Sequence, residues 1–172
     1  MLAPTARIMG LLVNPTNTNV NGETLSRIMP AAARTLGIEL RVLNAISDAD
    51  IAAAFATMAQ LRVGGVVVGS DAFFNSRSGH IAALALHHGL PTIYQYREFA
   101  AAGGLMSYGG SLNEAYRLVG AYTGRILKGE KPADLPVQHA TRIELTINMK
   151  TAKALGLTFP LTLLGRADEV IE

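Results

Sequence analysis

Short apolar runs rich in Val, Ile and Leu alternate with segments of helical periodicity through the first part of the chain. The apolar runs predict strands at residues 8–13, 38–43, 63–71 and 92–94. The segments between them predict helices at residues 22–36, 49–61 and 78–88. The third run, VGGVVVGSD, is apolar almost throughout, as in a strand buried on both faces of a parallel sheet. Strands and helices in this alternation predict an α/β fold built on a doubly wound parallel sheet.

The regular alternation of short strands and helices ends at Gly103, and after it one long helix is predicted between two strands. Ser111 is a suitable N-cap, with Glu114 at the capping-box position, and the helix runs to Lys128 before the stop signal of Gly129. The other elements predicted in this part are strands at 105–108 and 142–148, a helix at 150–155, and a segment at 161–172 that begins helical and then frays.

Composition narrows the class of protein. With 172 residues, 49% of them hydrophobic and 16% charged, the chain has enough apolar surface for one buried core. The net charge of +2 is small and the basic residues are scattered, which argues against a nucleic-acid partner. The absence of cysteine excludes disulfides and thiolate chemistry. No apolar run has the length of a membrane span, and residues 1–10 lack the pattern of a signal peptide, so the chain as given is expected in the cytoplasm.

Polar groups follow three of the predicted strands, and in open α/β sheets the carboxyl ends of strands hold the ligands. After the first strand come Asn14, Thr16, Asn17, Thr18 and Asn19, whose amides and hydroxyls precede a helix start, a suitable seat for a carboxylate. After the third strand come Asp71, Phe74 and Asn75, a carboxylate beside aromatic rings that suits an ammonium and an apolar side chain. After the fourth strand come Gln95, Arg97 and Glu98, with Tyr94 and Tyr96 beside them. Together these groups match an amino acid or a similar zwitterion.

Each of these groups also has a purely structural interpretation. Asn17 and Asn19 are residue types that cap helices and form turns, and Asp71 could cap the helix that follows it. Phe73 and Phe74 are adjacent and point in different directions, so one of them is expected in the core. Arg97 and Glu98 could form an ordinary surface pair.

No sequence motif indicates a catalytic site, a metal site or a cofactor site. The chain has no GxSxG elbow, and neither GxGxxG nor a phosphate-binding GxxxxGK[ST] loop follows the first strand. A receiver domain would need acidic residues where Asn14 and Pro15 stand. The four histidines have no metal-ligand spacing. We therefore expect no enzyme activity and no cofactor, while a doubly wound enzyme acting on a small metabolite stays an alternative.

Several segments in order carry a family resemblance: GLLVNPTN, AAFATMAQLRVGGVVVGSDAFFNSR, LPTIYQYREFAAAGGLMSYG, AYRLVGAYTGRILKGEKPADLPV and INMKTAKALGL. The chain resembles the substrate-binding proteins of ABC importers, in the class that includes binders of tryptophan and other aromatic amino acids. The resemblance implies the type I periplasmic-binding-protein fold, in which two α/β lobes close on a solute. It also implies capture of a solute without catalysis, delivery to an ABC permease, and a periplasmic or extracytoplasmic location.

The resemblance implies a division of the chain. Family members carry an export signal and a first lobe before the matching region. Residues 1–104 resemble the second lobe, residues 105–133 a strand-helix excursion into the missing first lobe, and residues 134–172 the return to the second lobe with a C-terminal tail. The loops at 14–19 and 71–75 match positions that line the cleft, and Gln95, Arg97 and Glu98 match the segment near the hinge.

The long helix predicts an interface. Its apolar stripe at spacings of three and four consists of Leu112, Tyr116, Val119, Thr123 and Ile126. We expect a second copy to cover this stripe, giving a homodimer through residues 105–128. The alternatives are a helix that folds back on its own sheet, and a fragment that oligomerises without binding any ligand.

Overall fold

The computed structural model describes residues 6–18, 24–138 and 142–172 and contains one seven-stranded sheet with helices on its faces. The strands are β1 (Ile8–Val13), β2 (Glu39–Asn44), β3 (Val66–Val68), β4 (Thr92–Tyr94), β5 (Met106–Gly109), β6 (Glu144–Asn148) and β7 (Glu169–Ile171). The α-helices are α1 (Met29–Thr35), α2 (Asp48–Gln60), α3 (Ala72–Asn75), α4 (Ser78–His87), α5 (Arg97–Ala101), α6 (Leu112–Leu127), α7 (Met149–Ala154) and α8 (Leu161–Leu164). A π-helical stretch, Thr24–Ile28, leads into α1, and a 3₁₀ turn, Pro132–Asp134, follows α6.

The strand order is β2-β1-β3-β4-β5-β6-β7, and every neighbouring pair is parallel except β5 with β6. This arrangement confirms the predicted α/β class. The order reverses between β1 and β3, since β1 pairs with β2 on one side and β3 on the other. The carboxyl ends of β1, β3 and β4 therefore lie side by side at the point where open sheets bind ligands.

Two hydrophobic clusters form the core. The larger one packs α2, α4 and the first four strands around fully buried side chains such as Phe55, Phe74 and Ile81. The smaller one packs α7 and the α8 region against β5 and β6, around Ile147 and Phe159. Burial of this kind is the main force that holds the helices on the sheet.

Helix signals in the sequence correspond closely to the observed ends. Ser47 Oγ accepts the N–H of Asp50 at 3.2 Å as the N-cap of α2, and the Ser47 hydroxyl donates to Asp50 Oδ2 at 2.8 Å. The Ser47 hydroxyl and then the Ile46 N–H lower the pKa of Asp50. Gly129, with φ of +101°, follows α6 in the left-handed region where a side chain would be strained.

Three expectations need correction. The segment expected to fray at the C-terminus forms β7, which pairs with β6, because the Asp168 carboxylate accepts the N–H of Leu145 at 2.9 Å and fixes the approach. The loops expected after β3 and β4 each contain a short helix, α3 and α5. The first helix begins as a π-helical stretch within the described residues, and its predicted start at Gly22 lies outside them.

Helix α6 stands away from the sheet. It has no buried residue, and Tyr116 and Val119 are 71% and 63% exposed. Ser111 Oγ accepts the Glu114 N–H at 3.3 Å as predicted, but the Glu114 carboxylate pairs with Arg117 and not with the start of the helix. The alternative in which this helix folds back on its own sheet is therefore wrong. Among the described helices, none is both long and apolar enough to cross a membrane.

Asn148 offers a test of how β6 is fixed. Its buried side chain donates to Ala100 O of α5 at 2.9 Å and accepts the Thr151 N–H at 3.1 Å as the N-cap of α7. Asn148→Ala removes the cap of α7 and one of the two donors to the Ala100 carbonyl, which keeps the N–H of Gly103, so it should lower the free energy of unfolding by about 1–3 kcal/mol. Urea denaturation measures this change. Asn113→Ala on exposed α6 is the control, and an equal loss in both variants would contradict the assignment.

Candidate functional site

A cluster of hydrogen bonds joins the carboxyl end of β1 to the carboxyl end of β3. Asn14 Nδ2 donates to Asp71 Oδ1 at 3.1 Å, and Asn17 Nδ2 donates to Asp71 Oδ2 at 2.9 Å. Asn17 Nδ2 also donates to the carbonyl oxygen of Ser70 at 3.3 Å. Residues more than fifty positions apart in the sequence are thus brought together at the switch point of the sheet.

Asp71 is the centre of this cluster and is only 8% exposed. Besides the two amides, its Oδ1 accepts the backbone N–H of Phe73 at 2.9 Å and of Phe74 at 3.4 Å, so Asp71 is the N-cap of α3. A buried carboxylate is costly unless donors surround it, and these four N–H groups supply them. The capping role weighed from the sequence is therefore confirmed.

The loop after β1 folds around Asn14. Its Oδ1 accepts both the N–H of Thr16 at 3.0 Å and the hydroxyl of Thr16 at 2.7 Å, and its backbone carbonyl accepts the N–H of Asn17 at 3.1 Å. Thr16 and Thr18 are exposed, and Asn17 is half-buried. Asn19, predicted to belong to the same site, lies outside the described residues.

The aromatic pair after β3 divides between core and surface, as its adjacency predicted. Phe74 was the ring assigned to the site, but it is fully buried in the larger core cluster. Phe73 is half-buried, and the Arg77 guanidinium lies 4.0 Å from its ring centroid. Arg77 is itself paired with Asp48. Because Phe74 has no surface to offer a ligand, Phe73 replaces it as the aromatic side chain at this edge, near half-buried Asn75.

The carboxyl end of β4 is closely packed around Gln95. A Cβ on Gly109 would lie 2.2 Å from the carbonyl oxygen of Gln95 and 2.8 Å from its Cγ, so only glycine permits this approach of β4 and β5. Gln95 Oε1 and Glu98 Oε2 are buried atoms with no hydrogen-bond donor among the described residues. Tyr94 stacks on Phe99 with 4.6 Å between centroids, and burial raises the pKa of its phenol above the ordinary value.

Arg97 does not pair with Glu98, contrary to the surface-pair interpretation. Its Nε and Nη2 each lie 2.5 Å from a carboxylate oxygen of Glu169 in β7. The hydrogen bond to Glu169 raises the pKa of Arg97. This bidentate pair ties the start of α5 to the C-terminal strand, a partner that the sequence pattern could not indicate because the two residues are 72 positions apart.

A groove of about 1030 Å³ lies elsewhere, between α6 and the chain leading into β6. Its walls include Leu118, Tyr122, Gln138 and Arg142, and none of the side chains predicted for the site lines it. In the part of the chain that the structure describes, His, Asp and Glu side chains form no group of three that could hold a metal ion.

Comparison with known proteins extends these observations. The sequence profile of the family described as ABC transporter substrate binding protein matches residues 1–171. A conserved domain protein from Vibrio cholerae is similar in structure, with 25% identity and a TM-score of 0.86 over 98% of this chain and 56% of that one. An ABC domain from Streptococcus pneumoniae in complex with L-Trp has 26% identity and a TM-score of 0.85 over 99% of this chain and 57% of that one.

A third similar structure is the ligand-free, open form of a substrate-binding protein with adhesive properties from Clostridium difficile. It has 19% identity and a TM-score of 0.70 over 99% of this chain and 56% of that one, which supports the fold alone. The chain thus spans a little over half the length of these solved structures. A comparison with curated protein sequences finds no significant match.

The Asn17–Asp71 contact should appear as an energetic coupling. The Asn17 amide donates one hydrogen bond to the buried Asp71 carboxylate, and either single variant removes it. The double variant Asn17→Ala/Asp71→Ala should therefore lose less free energy of unfolding than the sum of the two single variants, with a coupling of about 1–2 kcal/mol. Chemical denaturation of the four proteins of the cycle measures it. Pairing Asn17→Ala with Asn113→Ala, which shares no hydrogen bond with the cluster, should give simple additivity; additivity in both cycles would contradict the contact.

Proposed function

This chain belongs to the family of ABC transporter substrate-binding proteins, and we propose that it binds an amino-acid-like solute at the carboxyl ends of β1, β3 and β4. The observation that carries the proposal is the Asn14–Asp71–Asn17 cluster, which gathers polar groups from two loops at the switch point of the sheet. A set of hydrogen-bonded amides in this position is preorganised to receive a small polar ligand.

The proposed contacts combine polar and aromatic groups. The polar side chains proposed to contact the solute are Asn14, Thr16, Asn17, Thr18, Asn75, Gln95 and Arg97, and the half-buried rings are Phe73 and Tyr96. Asp71 holds Asn14 and Asn17 in place behind them. The similar pneumococcal domain was solved with L-Trp, which supports an amino acid as the class of solute. The chain contains no Trp, the side chain on which sugars most often stack.

The proposed role is capture and delivery without turnover. The solute would be passed to an ABC permease outside the cytoplasm, where proteins of this family normally work. Residues 105–133 were expected to form an excursion toward the first lobe, but β5 at the start of this segment pairs with β4 and β6 in the sheet. The excursion would therefore consist of α6 and the turn after it, an interpretation supported by the exposure of α6 and by the length of the similar proteins. The cleft would then close around the solute from both lobes.

A panel of solutes tests the proposed class. Amino acids with aromatic or aliphatic side chains should raise the melting temperature in a thermal-shift assay, because a ligand that binds only the folded state stabilises it. Sugars and nucleosides are the comparison sets. Asn17→Ala should weaken binding of the best amino acid about ten- to a hundredfold in calorimetry, as expected for the loss of a hydrogen bond to a charged group.

Two outcomes would contradict the proposal. Stabilisation by a sugar alone would exclude the amino-acid class. Unchanged affinity in Asn17→Ala, together with a lower melting temperature, would leave the loop with a structural role only. Asn113→Ala is the matched amide control, since its side chain lies on exposed α6 and should leave both quantities unchanged.

We also propose that the 172-residue chain by itself forms a homodimer through residues 105–128. The support is the stripe of α6, in which Tyr116, Val119 and Ile126 are 71%, 63% and 40% exposed, a patch of the kind that marks interfaces. Light scattering at micromolar concentration should give about twice 18.2 kDa. Val119→Asp should restore the monomer while Asn113→Asp should not, and a stable monomer of the unaltered chain would contradict the dimer.

A further inference from the structure

We infer that the loop after β1 receives the hydrogen-bond-donor end of the solute, which in an amino acid is the ammonium group. Asn17 Oδ1 and Thr16 Oγ1 are the accepting atoms, and Asp71 is a positioning residue that does not touch the solute. The inference rests on the proposed function and deepens it. It reverses the polarity expected from the sequence, in which this loop would hold a carboxylate and Asp71 the ammonium.

The orientation of the Asn17 amide follows from its partners. Its nitrogen lies 2.9 Å from a carboxylate oxygen of Asp71 and 3.3 Å from the carbonyl oxygen of Ser70. Both partners only accept hydrogen bonds, so the atom facing them must be the NH₂ group with its two hydrogens. The donors of Asn17 are thereby used, and Oδ1 is the atom left for a ligand.

Thr16 is restricted in the same way. Its one hydroxyl hydrogen is directed to Asn14 Oδ1 at 2.7 Å, and the same oxygen also accepts the N–H of Thr16. Asn14 Oδ1 can only accept, because the Nδ2 of that amide faces Asp71. Thr16 Oγ1 therefore presents only lone pairs to any further partner.

The backbone N–H groups of Thr16 and Asn17 add no anion site. The N–H groups of Thr16 and Asn17 are both occupied, by Asn14 Oδ1 and by the Asn14 carbonyl. A solute carboxylate would therefore face lone pairs and the negative charge of Asp71, whereas an ammonium would find acceptors and a favourable field. Thr16 and Asn17 therefore favour a cationic donor over an anion.

Asp71→Asn tests the inference because it should reverse the polarity. Asparagine also caps helices well, so Oδ1 of the new amide can keep the bonds from Asn14, Phe73 and Phe74. Its NH₂ group would then face Asn17, whose amide must turn to accept it. Asn17 would present its NH₂ group to the solute, changing an acceptor site into a donor site.

The first measurement needs no ligand. In ¹⁵N-resolved NMR spectra the side-chain NH₂ signals of Asn14 and Asn17 should exchange slowly with solvent, unlike that of Asn113 on exposed α6. In Asp71→Asn the Asn17 signal should lose its protection. Rapid exchange of the Asn17 signal in the unaltered protein would overturn the inference.

The second measurement is calorimetry with three probes: L-tryptophan, tryptamine, which lacks the carboxylate, and indole-3-propionate, which lacks the ammonium. The dissociation constant of the unaltered chain should be at least about tenfold lower for tryptamine than for indole-3-propionate, the ratio expected for one charge-assisted hydrogen bond. Asp71→Asn should abolish or reverse this preference. Asp134→Asn, which removes the same charge from an exposed turn, should preserve it.

The outcomes separate the two proposals. If the unaltered chain binds indole-3-propionate better than tryptamine, the polarity inference is wrong while the proposed function stands. If Asp71→Asn weakens all probes equally and keeps the preference, Asp71 has only a structural role and the inference is also wrong. If none of the three probes binds but an aliphatic amino acid stabilises the chain, its decarboxylated amine and deaminated acid replace tryptamine and indole-3-propionate in the same comparison. If no amino acid of the panel binds, the proposed function fails and the inference falls with it.

Discussion

A carboxylate that is almost removed from water must be surrounded by donors, and at Asp71 this requirement organises one edge of the molecule. Two of its donors are backbone N–H groups, which fix where α3 begins. The other two are amides from the loop after β1, which fix how that loop lies on the end of β3. The same buried charge therefore sets the position of a helix, the path of a loop and the orientation of two side-chain amides.

The sheet supplies the setting in which this cluster has a use. A parallel sheet places the ends of its strands on one side, and the reversal of order between β1 and β3 opens a crevice there. Glycine at position 109 lets β5 approach the end of β4 closely at Gln95. The sheet topology thus decides which loops lie together at this edge, and the residues of those loops decide which polar groups are present there.

The sequence predicts the repeating elements well because their signals are local. Apolar runs, the Ser111 cap and the stop signal of Gly129 each act within a few residues. It fails where the deciding contact is distant. Arg97 forms an ion pair with Glu169 in β7, and β7 forms by pairing with β6 although its own sequence has no strong strand pattern. The residue types of the site were recognisable from the sequence, but which atoms of Asn17 face outward depends on Asp71, 54 positions away.

The separation of α6 from the sheet has a consequence for how the chain is assembled. β5 and β6 pair directly, as Met106 opposite Ile147, although the whole of α6 lies between them in the sequence. The entropy of closing such a connection grows only slowly, by roughly 0.6 kcal/mol for each doubling of its length. The connection between these strands can therefore lengthen, shorten or carry a complete helix with little effect on the sheet. In this respect α6 behaves as an insertion, and its sequence can change to suit the surface that it contacts without disturbing the sheet.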